Sequence, residues 1–198
     1  LADELGFYAA YTGERRGRGK ASGQTAVTYN PDLACMYGLS KTKNLIFGSH
    51  VTLLPLHHPV RVAQDALMVN SLYPGRFKLG VGAGYTKEDF DAFGVSLSER
   101  GKRMQVGLEA INAFLKGEEY EIKGPWQGNV PLRDPAMGDH SLEILSGGWS
   151  VPGVRRAAQL SDGWHTGPIR TVAAEAELAK IYREECEKSG RKPKVVLM

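Results

Sequence analysis

The sequence predicts a parallel α/β fold on three observations. Short β-rich runs alternate with amphipathic helical stretches along the chain. The runs are rich in Val, Ile, Leu and Gly without clean polar alternation, as in strands buried on both faces. Glycines and histidines collect where those runs end, the rim where parallel α/β folds place their sites. Two architectures share this pattern, a (β/α)8 barrel and an open, doubly wound sheet. A full barrel typically takes about 250 residues, whereas six strands fit within the 198 residues here. The ends favour the barrel: the chain opens at Leu1 in what reads as the last turns of a helix closed by Gly6, and stops in a strand. The expectation is a (β/α)8 TIM barrel truncated to lack its first and last strands, one domain over residues 1–198.

The elements follow in order. Phe7–Thr12 is strand-like and Pro31–Lys41 helix-like. Leu45–Leu54 (LIFGSHVTLL) is the clearest strand. Pro59–Leu72 is an amphipathic helix with Val62, Ala63, Ala66, Leu67 and Val69 toward one face. Phe77–Val81 is the next strand, and Arg100–Lys116 a helix with Met104, Leu108, Ile111 and Leu115 at steps of four, three and four. Gly117–Asp139 breaks the rhythm and reads as a β-ribbon followed by an insertion; a loop of that length in a compact fold is functional or flexible. Leu142–Leu145 is a strand, Val154–Leu160 a helix, Asp162–Thr166 a short strand and Thr171–Lys188 a helix. Lys194–Met198 closes the chain as a strand.

Composition narrows the function. The chain is 42% hydrophobic with a net charge of +3, and no apolar run approaches the roughly 20 residues of a membrane span. A balance of 25 basic to 22 acidic residues makes no electrostatic case for nucleic acid. Two distant cysteines, Cys35 and Cys186, exclude a disulfide scaffold and a cysteine-rich zinc site. A reducing, cytoplasmic setting is the expectation.

Several motifs bear on chemistry. Gly80-Val81-Gly82-Ala83-Gly84-Tyr85 follows a strand but fails the dinucleotide fingerprint, because Tyr85 stands where the last glycine belongs. Its alternate glycines still remove side chains at a strand end, so that backbone can approach a flat ligand or pack tightly. Gly147-Gly148-Trp149-Ser150 joins a strand to a helix, and a helix N-terminus favours an anion; Ser150 can cap the helix or bond a phosphate. Gly13–Lys20 misses the P-loop spacing, and its basic run reads as a solvated loop. His57-His58-Pro59 lacks the i, i+4 spacing of a metal pair. His50 interrupts an apolar strand and His165 follows Trp164 at another strand end; each is either a core histidine or a side chain aimed at a pocket. Gly-x-Ser-x-Gly is absent.

Taken in order, Leu5-Gly6-Phe7, Thr12-Gly13-Glu14, Gly48-Ser49-His50-Val51, Leu54–Pro59, Gly75–Tyr85, Phe90–Val95, Glu99-Arg100-Gly101, Gly147-Gly148, Arg155–Ala158 and Asp162-Gly163-Trp164 resemble the bacterial luciferase-like monooxygenase family. The resemblance implies a barrel binding FMN, or alternatively the deazaflavin coenzyme F420, at its C-terminal rim. It implies either monooxygenation of a small organic substrate with reduced FMN and O2, with a flavin reductase as partner, or hydride transfer with the deazaflavin; a catalytically incompetent fragment of either is the remaining alternative. The six strands would be the second to seventh of eight, and the full-length protein a homo-oligomer. Gly82, Ala83, Gly84 and Tyr85 would edge the ring pocket, with Trp164 beside them, and Gly147, Gly148, Trp149 and Ser150 would receive the phosphate. His50-Val51 would form a bulge with a non-prolyl cis peptide behind the ring. His50, Glu14 and Arg15 are the candidates for catalytic contacts. Many relatives carry a histidine where Arg15 stands, and an arginine stays cationic and cannot shuttle protons at neutral pH.

Overall fold

The structure, a computed structural model, describes residues 1–14, 29–131, 141–167 and 171–197. Arg15 and the basic run that follows it lie outside the described residues. The elements are β1 (Ala9–Thr12), α1 (Pro31–Ser40), β2 (Ile46–Ser49), β3 (Thr52–Leu53), α2 (Pro59–Leu72), β4 (Phe77–Gly82), α3 (Lys87–Ala92), α4 (Arg100–Lys116), β5 (Tyr120–Ile122), β6 (Gly128–Val130), β7 (Glu143–Gly147), α5 (Val151–Leu160), β8 (Gly163–His165), α6 (Val172–Lys188) and β9 (Val195–Val196). The run expected as one strand over Leu45–Leu54 is broken in two, because the chain leaves the sheet at His50-Val51. Helix α3 is an element that the pattern did not signal; it has one buried apolar residue, Phe90. Sequence chemistry explains the helix ends: Asn30, Ser150 and Thr171 each accept a backbone N–H three residues on, and Gly117 closes α4 at φ 70°.

Every neighbour in the main sheet is parallel, in the order β1-β2-β4-β7-β8-β9, with β3 pairing β4. A doubly wound sheet reverses its order at a switch point. Here each new strand joins on the same side, which is barrel order. The sheet is also curled. Four strand spacings separate β1 from β8, about 19 Å in a flat sheet, yet the rings of Tyr11 and His165 meet at 5.1 Å. The ribbon β5–β6 is antiparallel and runs back along α4: Tyr120 donates to Glu109, and Trp126 lies over Arg103 in the first turn.

Alternation along the strands divides the layers. On the outer face Phe77, Leu79, Val81 and Ile144 pack beneath α1, α2 and α4 with Leu67, Met104, Leu108 and Ile111. Trp164 packs with Val154, Ala157, Ala158, Tyr182 and Cys186 of α5 and α6. On the inner face Lys78, which is buried, pairs with Glu143, and Lys194 reaches the same carboxylate. The end where the strands begin is tied down: Asp3 accepts the N–H groups of Lys43, Asn44 and Leu45, and Arg76 donates to the carbonyls of Thr42 and Leu45.

Leu108 is fully buried on α4. Leu108→Ala removes its contacts and leaves a cavity, lowering unfolding free energy by about 2–5 kcal/mol in urea denaturation, with the midpoint moved and the slope unchanged.

Candidate active site

The inner face near the rim is built from glycines, and neighbouring strands fill the space that they leave. A Cβ at Gly80 would meet the Ser49 carbonyl oxygen at 1.8 Å, one at Gly13 the His50 carbonyl at 2.5 Å, and one at Gly82 the Val51 Cγ2 at 2.3 Å. Val51 also faces Gly147, where an added Cβ would stand 3.3 Å from its Cγ1. These glycines therefore admit the inward turn of Ser49–Val51. At Gly82 the space left by the missing side chain is taken by Val51, the tight packing that the sequence also allowed. The His50–Val51 peptide bond is cis, as the family resemblance implied.

The turn brings His50 across the barrel. Its ring lies 4.4 Å from that of His165 at 73°, with Tyr11 edge-on to both. His50 is half-buried; burial lowers its pKa, opposed by a hydrogen bond with the Thr166 backbone. His165 is fully buried, and both ring nitrogens lack a hydrogen-bond partner. Burial, then the neighbouring His50 and Lys78, push its pKa down to about 3, so it is neutral at physiological pH.

Two buried carboxyl groups hold this turn from the outer side. Glu14 accepts the Leu53 N–H at 2.8 Å and meets His57 Nε2 at 3.0 Å, while its own N–H donates to the Val51 carbonyl. Its side chain has no exposed surface, so Glu14 braces the turn and does not itself reach the barrel mouth. Asp32, in the first turn of α1, hydrogen-bonds to Ser49 and Thr52, one on each side of His50-Val51. Ser49 in turn accepts the Gly80 N–H.

The rim beyond β4 and β7 presents aromatic surface. Tyr85 and Trp149 are exposed, their ring centroids 5.2 Å apart. Ala83 and Gly84 stand beneath them, half-buried, and Gly84 has φ 71° with Phe90 filling the place of its side chain. Gly148 lies against Gly153 so closely that a Cβ would come within 3.0 Å of it. Ser150 caps α5 through Gly153. Arg155 pairs with Glu185 and Arg156 bonds Gln105, so both are engaged along α5. A cleft of about 350 Å³ on the outer side of the turn is lined by Trp149, Ser150, Glu175, Glu177, Leu178 and Ile181.

The structure thus brings Val51, Gly82 and Gly147 together beside His50, and Tyr85 with Trp149 on the same rim. Trp164 is placed elsewhere. It is fully buried among α5 and α6, reaching the turn only through its indole N–H to the Gly148 carbonyl. A tryptophan on β8 faces outward because strand alternation points His165 inward. Tyr11 and Asp32 carried no sequence signal; His165 carried one, its position at a strand end. Among the described residues no cluster of three or more His, Cys, Asp or Glu is placed to hold a metal, and no helix is long and apolar enough to cross a membrane.

Two outcomes follow. Gly82→Ala pushes a methyl group into Val51 and lowers stability by about 1–3 kcal/mol, and Val51→Ala on the same chain recovers part of the loss in a double-mutant cycle. Asp32 has its pKa pushed up to about 6 by burial, against hydrogen bonds from Ser49 and Thr52. A raised folded value means that its contribution is full below the unfolded value of about 3.9 and is lost as pH rises through about 6. Asp32→Asn flattens that part of the pH dependence in thermal melts; an unchanged slope counts against the assignment.

Comparison with known proteins fits this geometry. The sequence profile described as luciferase-like monooxygenase matches residues 1–198. An uncharacterized protein of Mycobacterium tuberculosis is 32% identical over 151 residues, 75% of this chain and 52% of that protein. The oxygenase component of a flavin-dependent trigonelline monooxygenase from Acinetobacter baylyi is 28% identical over 130 residues, 64% of this chain and 34% of its own. The oxygenating constituent of 3,6-diketocamphane monooxygenase from Pseudomonas putida, solved with FMN, superposes at TM-score 0.81 and 21% identity, covering 99% of this chain and 58% of that one. An F420-dependent secondary alcohol dehydrogenase, solved with an F420-acetone adduct, gives 0.81 at 17% identity, covering 99% and 61%. The chain spans about half the length of its Mycobacterium relative. With the barrel order, the inward turn at His50-Val51 and a profile match over every residue, the chain belongs to the luciferase-like monooxygenase family.

Proposed function

We propose that this chain is the cofactor-binding part of a flavin-dependent oxidoreductase that uses reduced FMN and O2 on a small organic substrate. The single observation that carries the reading is the rim itself. Tyr85 and Trp149, just past the ends of β4 and β7, form an exposed aromatic pair on the same C-terminal rim that carries the half-buried His50. The residues present fit a flavin. A flat ring system stacks on the aromatic wall, and the turn Gly147–Ser150 offers the N-terminus of α5 to a phosphate. Glu175 and Glu177 line the outer side of that turn; their charge disfavours an anion there and leaves the inner side for it.

Bound FMN or F420 supplies the redox chemistry, and the protein supplies orientation, electrostatics and exclusion of water. In this reading His50, whose charged form burial disfavours, is the group that accepts a proton at the barrel mouth. Val51 backs the ring, with Gly82, Ala83 and Gly84 around it. Glu14 acts through the turn that it braces, and Arg15 favours anionic reduced flavin or an acidic substrate. Trp126, in the described part of the insertion at about 117–139, lies over the first turn of α4 at the rim end of that helix, which supports a role for the insertion in covering the site; residues 132–139 lie outside the described residues. Residues 1–198 form one partial barrel domain. A flavin reductase partner is supported by the name of the trigonelline relative, which is an oxygenase component. A homo-oligomer is favoured by the apolar side chains that α1 and α2 leave exposed, Leu33 with Tyr37 and Met68 with Leu72. The setting is cytoplasmic.

The second reading, F420-dependent hydride transfer, draws on the likeness to the F420-bound alcohol dehydrogenase. Parallel fluorescence titrations with FMN and F420 separate the two: tight binding of one alone selects its chemistry, and binding of neither overturns both. His50→Ala weakens binding of the selected cofactor about tenfold, the worth of about 1.4 kcal/mol; an unchanged affinity removes His50 from the site.

A further inference from the structure

We propose that His165 is a positioning residue for His50: a buried imidazole, packed edge-on across the barrel, that fixes the His50 ring at the mouth and restricts the pair to a single proton. Four observations carry it. The two rings come from strands that are not neighbours in the sheet, yet their centroids lie 4.4 Å apart. The contact passes over Gly80, where a Cβ would stand 3.2 Å from His165 Nε2, so β4 leaves the passage open. Thr166, the next residue, hydrogen-bonds His50 through its backbone, so the end of β8 grips that ring twice. His165 is fully buried with both nitrogens unpartnered, which an apolar ring would satisfy at lower cost. An imidazole kept there at that cost calls for a role beyond filling space.

The charges around the pair set the direction. Tyr11 faces both rings from β1, Lys78 rises from β4, Glu143 lies on β7, and Lys194 precedes β9. Lys78 and Lys194 share the Glu143 carboxylate, and burial together with Lys78 opposes charge on His165. His50 has the Thr166 backbone to support a proton, so the shared proton resides on His50. Once His50 is charged, a second charge on His165 is suppressed, as in any closely coupled pair.

The inference rests on the proposed function only in setting His50 beside the cofactor; the coupling itself is a property of the free protein. The test is a nitrogen-15 NMR titration of both imidazoles in the wild type, His50→Gln and His165→Ala, without cofactor. Expected are a wild type in which His165 stays neutral through the whole His50 titration, and a His50→Gln variant in which the His165 titration moves up by at least one pH unit. In His165→Ala the His50 ring signals shift and broaden, and His165→Phe, which keeps the packing if the alanine variant fails to fold, restores their sharpness. Both rings charging above pH 5 in the wild type, an unmoved His165 in His50→Gln, or His50 signals indifferent to position 165 would each overturn the assignment. Failure of wild type to bind FMN or F420 leaves these readings intact and counts against the proposed function alone.

Discussion

The inward turn of Ser49–Val51 is the constraint on which the rest of the rim depends. It brings backbone and a branched side chain into the barrel, and a close-packed interior yields no room without loss elsewhere. The loss is taken as glycine at 13, 80, 82 and 147, on three different strands or strand ends. Once the turn is in place, His50 is carried toward β8, and Asp32 and Glu14 find backbone and hydroxyl partners on its outer side. A motif that looks like a ligand cradle in the sequence is thus in large part a packing solution for the chain's own backbone.

The two ends of the barrel are held by different forces. Where the strands begin, charged groups grip backbone: Asp3 and Arg76 tie the segment before β2, and Lys78, Glu143 and Lys194 form an ionic layer inside. Where the strands end, the buried polar groups are mostly hydrogen-bonding or uncharged at neutral pH, His165 stands without a hydrogen-bond partner, and exposed aromatic rings lie at the rim. Barrel enzymes separate stability from chemistry in this way, which lets one end carry a site at odds with the best packing.

Much of the fold was legible because it rests on periodicity. The faces of α2 and α4 follow from apolar spacing, and the burial of Val62, Ala63, Ala66, Leu67, Met104, Leu108 and Ile111 agrees with it. The break in Leu45–Leu54 was not visible as a break, since both halves are apolar and strand-like; only the family resemblance marked it. Helix α3 was missed because six residues are too few to show a helical period. At the site, local sequence located the strand ends but not what meets across the barrel. Tyr11, His50 and His165 converge through curl, a property of the whole sheet. Trp164 was misplaced for the opposite reason: its neighbours in the motif suggested the rim, while strand alternation sends it outward.

Val51 sits against both Gly82 and Gly147, and this has a consequence for how the sequence can change over time. The three positions share one volume. A methyl group can be accepted at 82 only after Val51 has shrunk, whereas at 147 Val51 need yield only a few tenths of an ångström, so at 82 the reverse order passes through a strained intermediate. Substitutions at these sites are then ordered in evolutionary time and conditional on one another. Lineages of this fold that carry a side chain at position 82 must have vacated position 51 first.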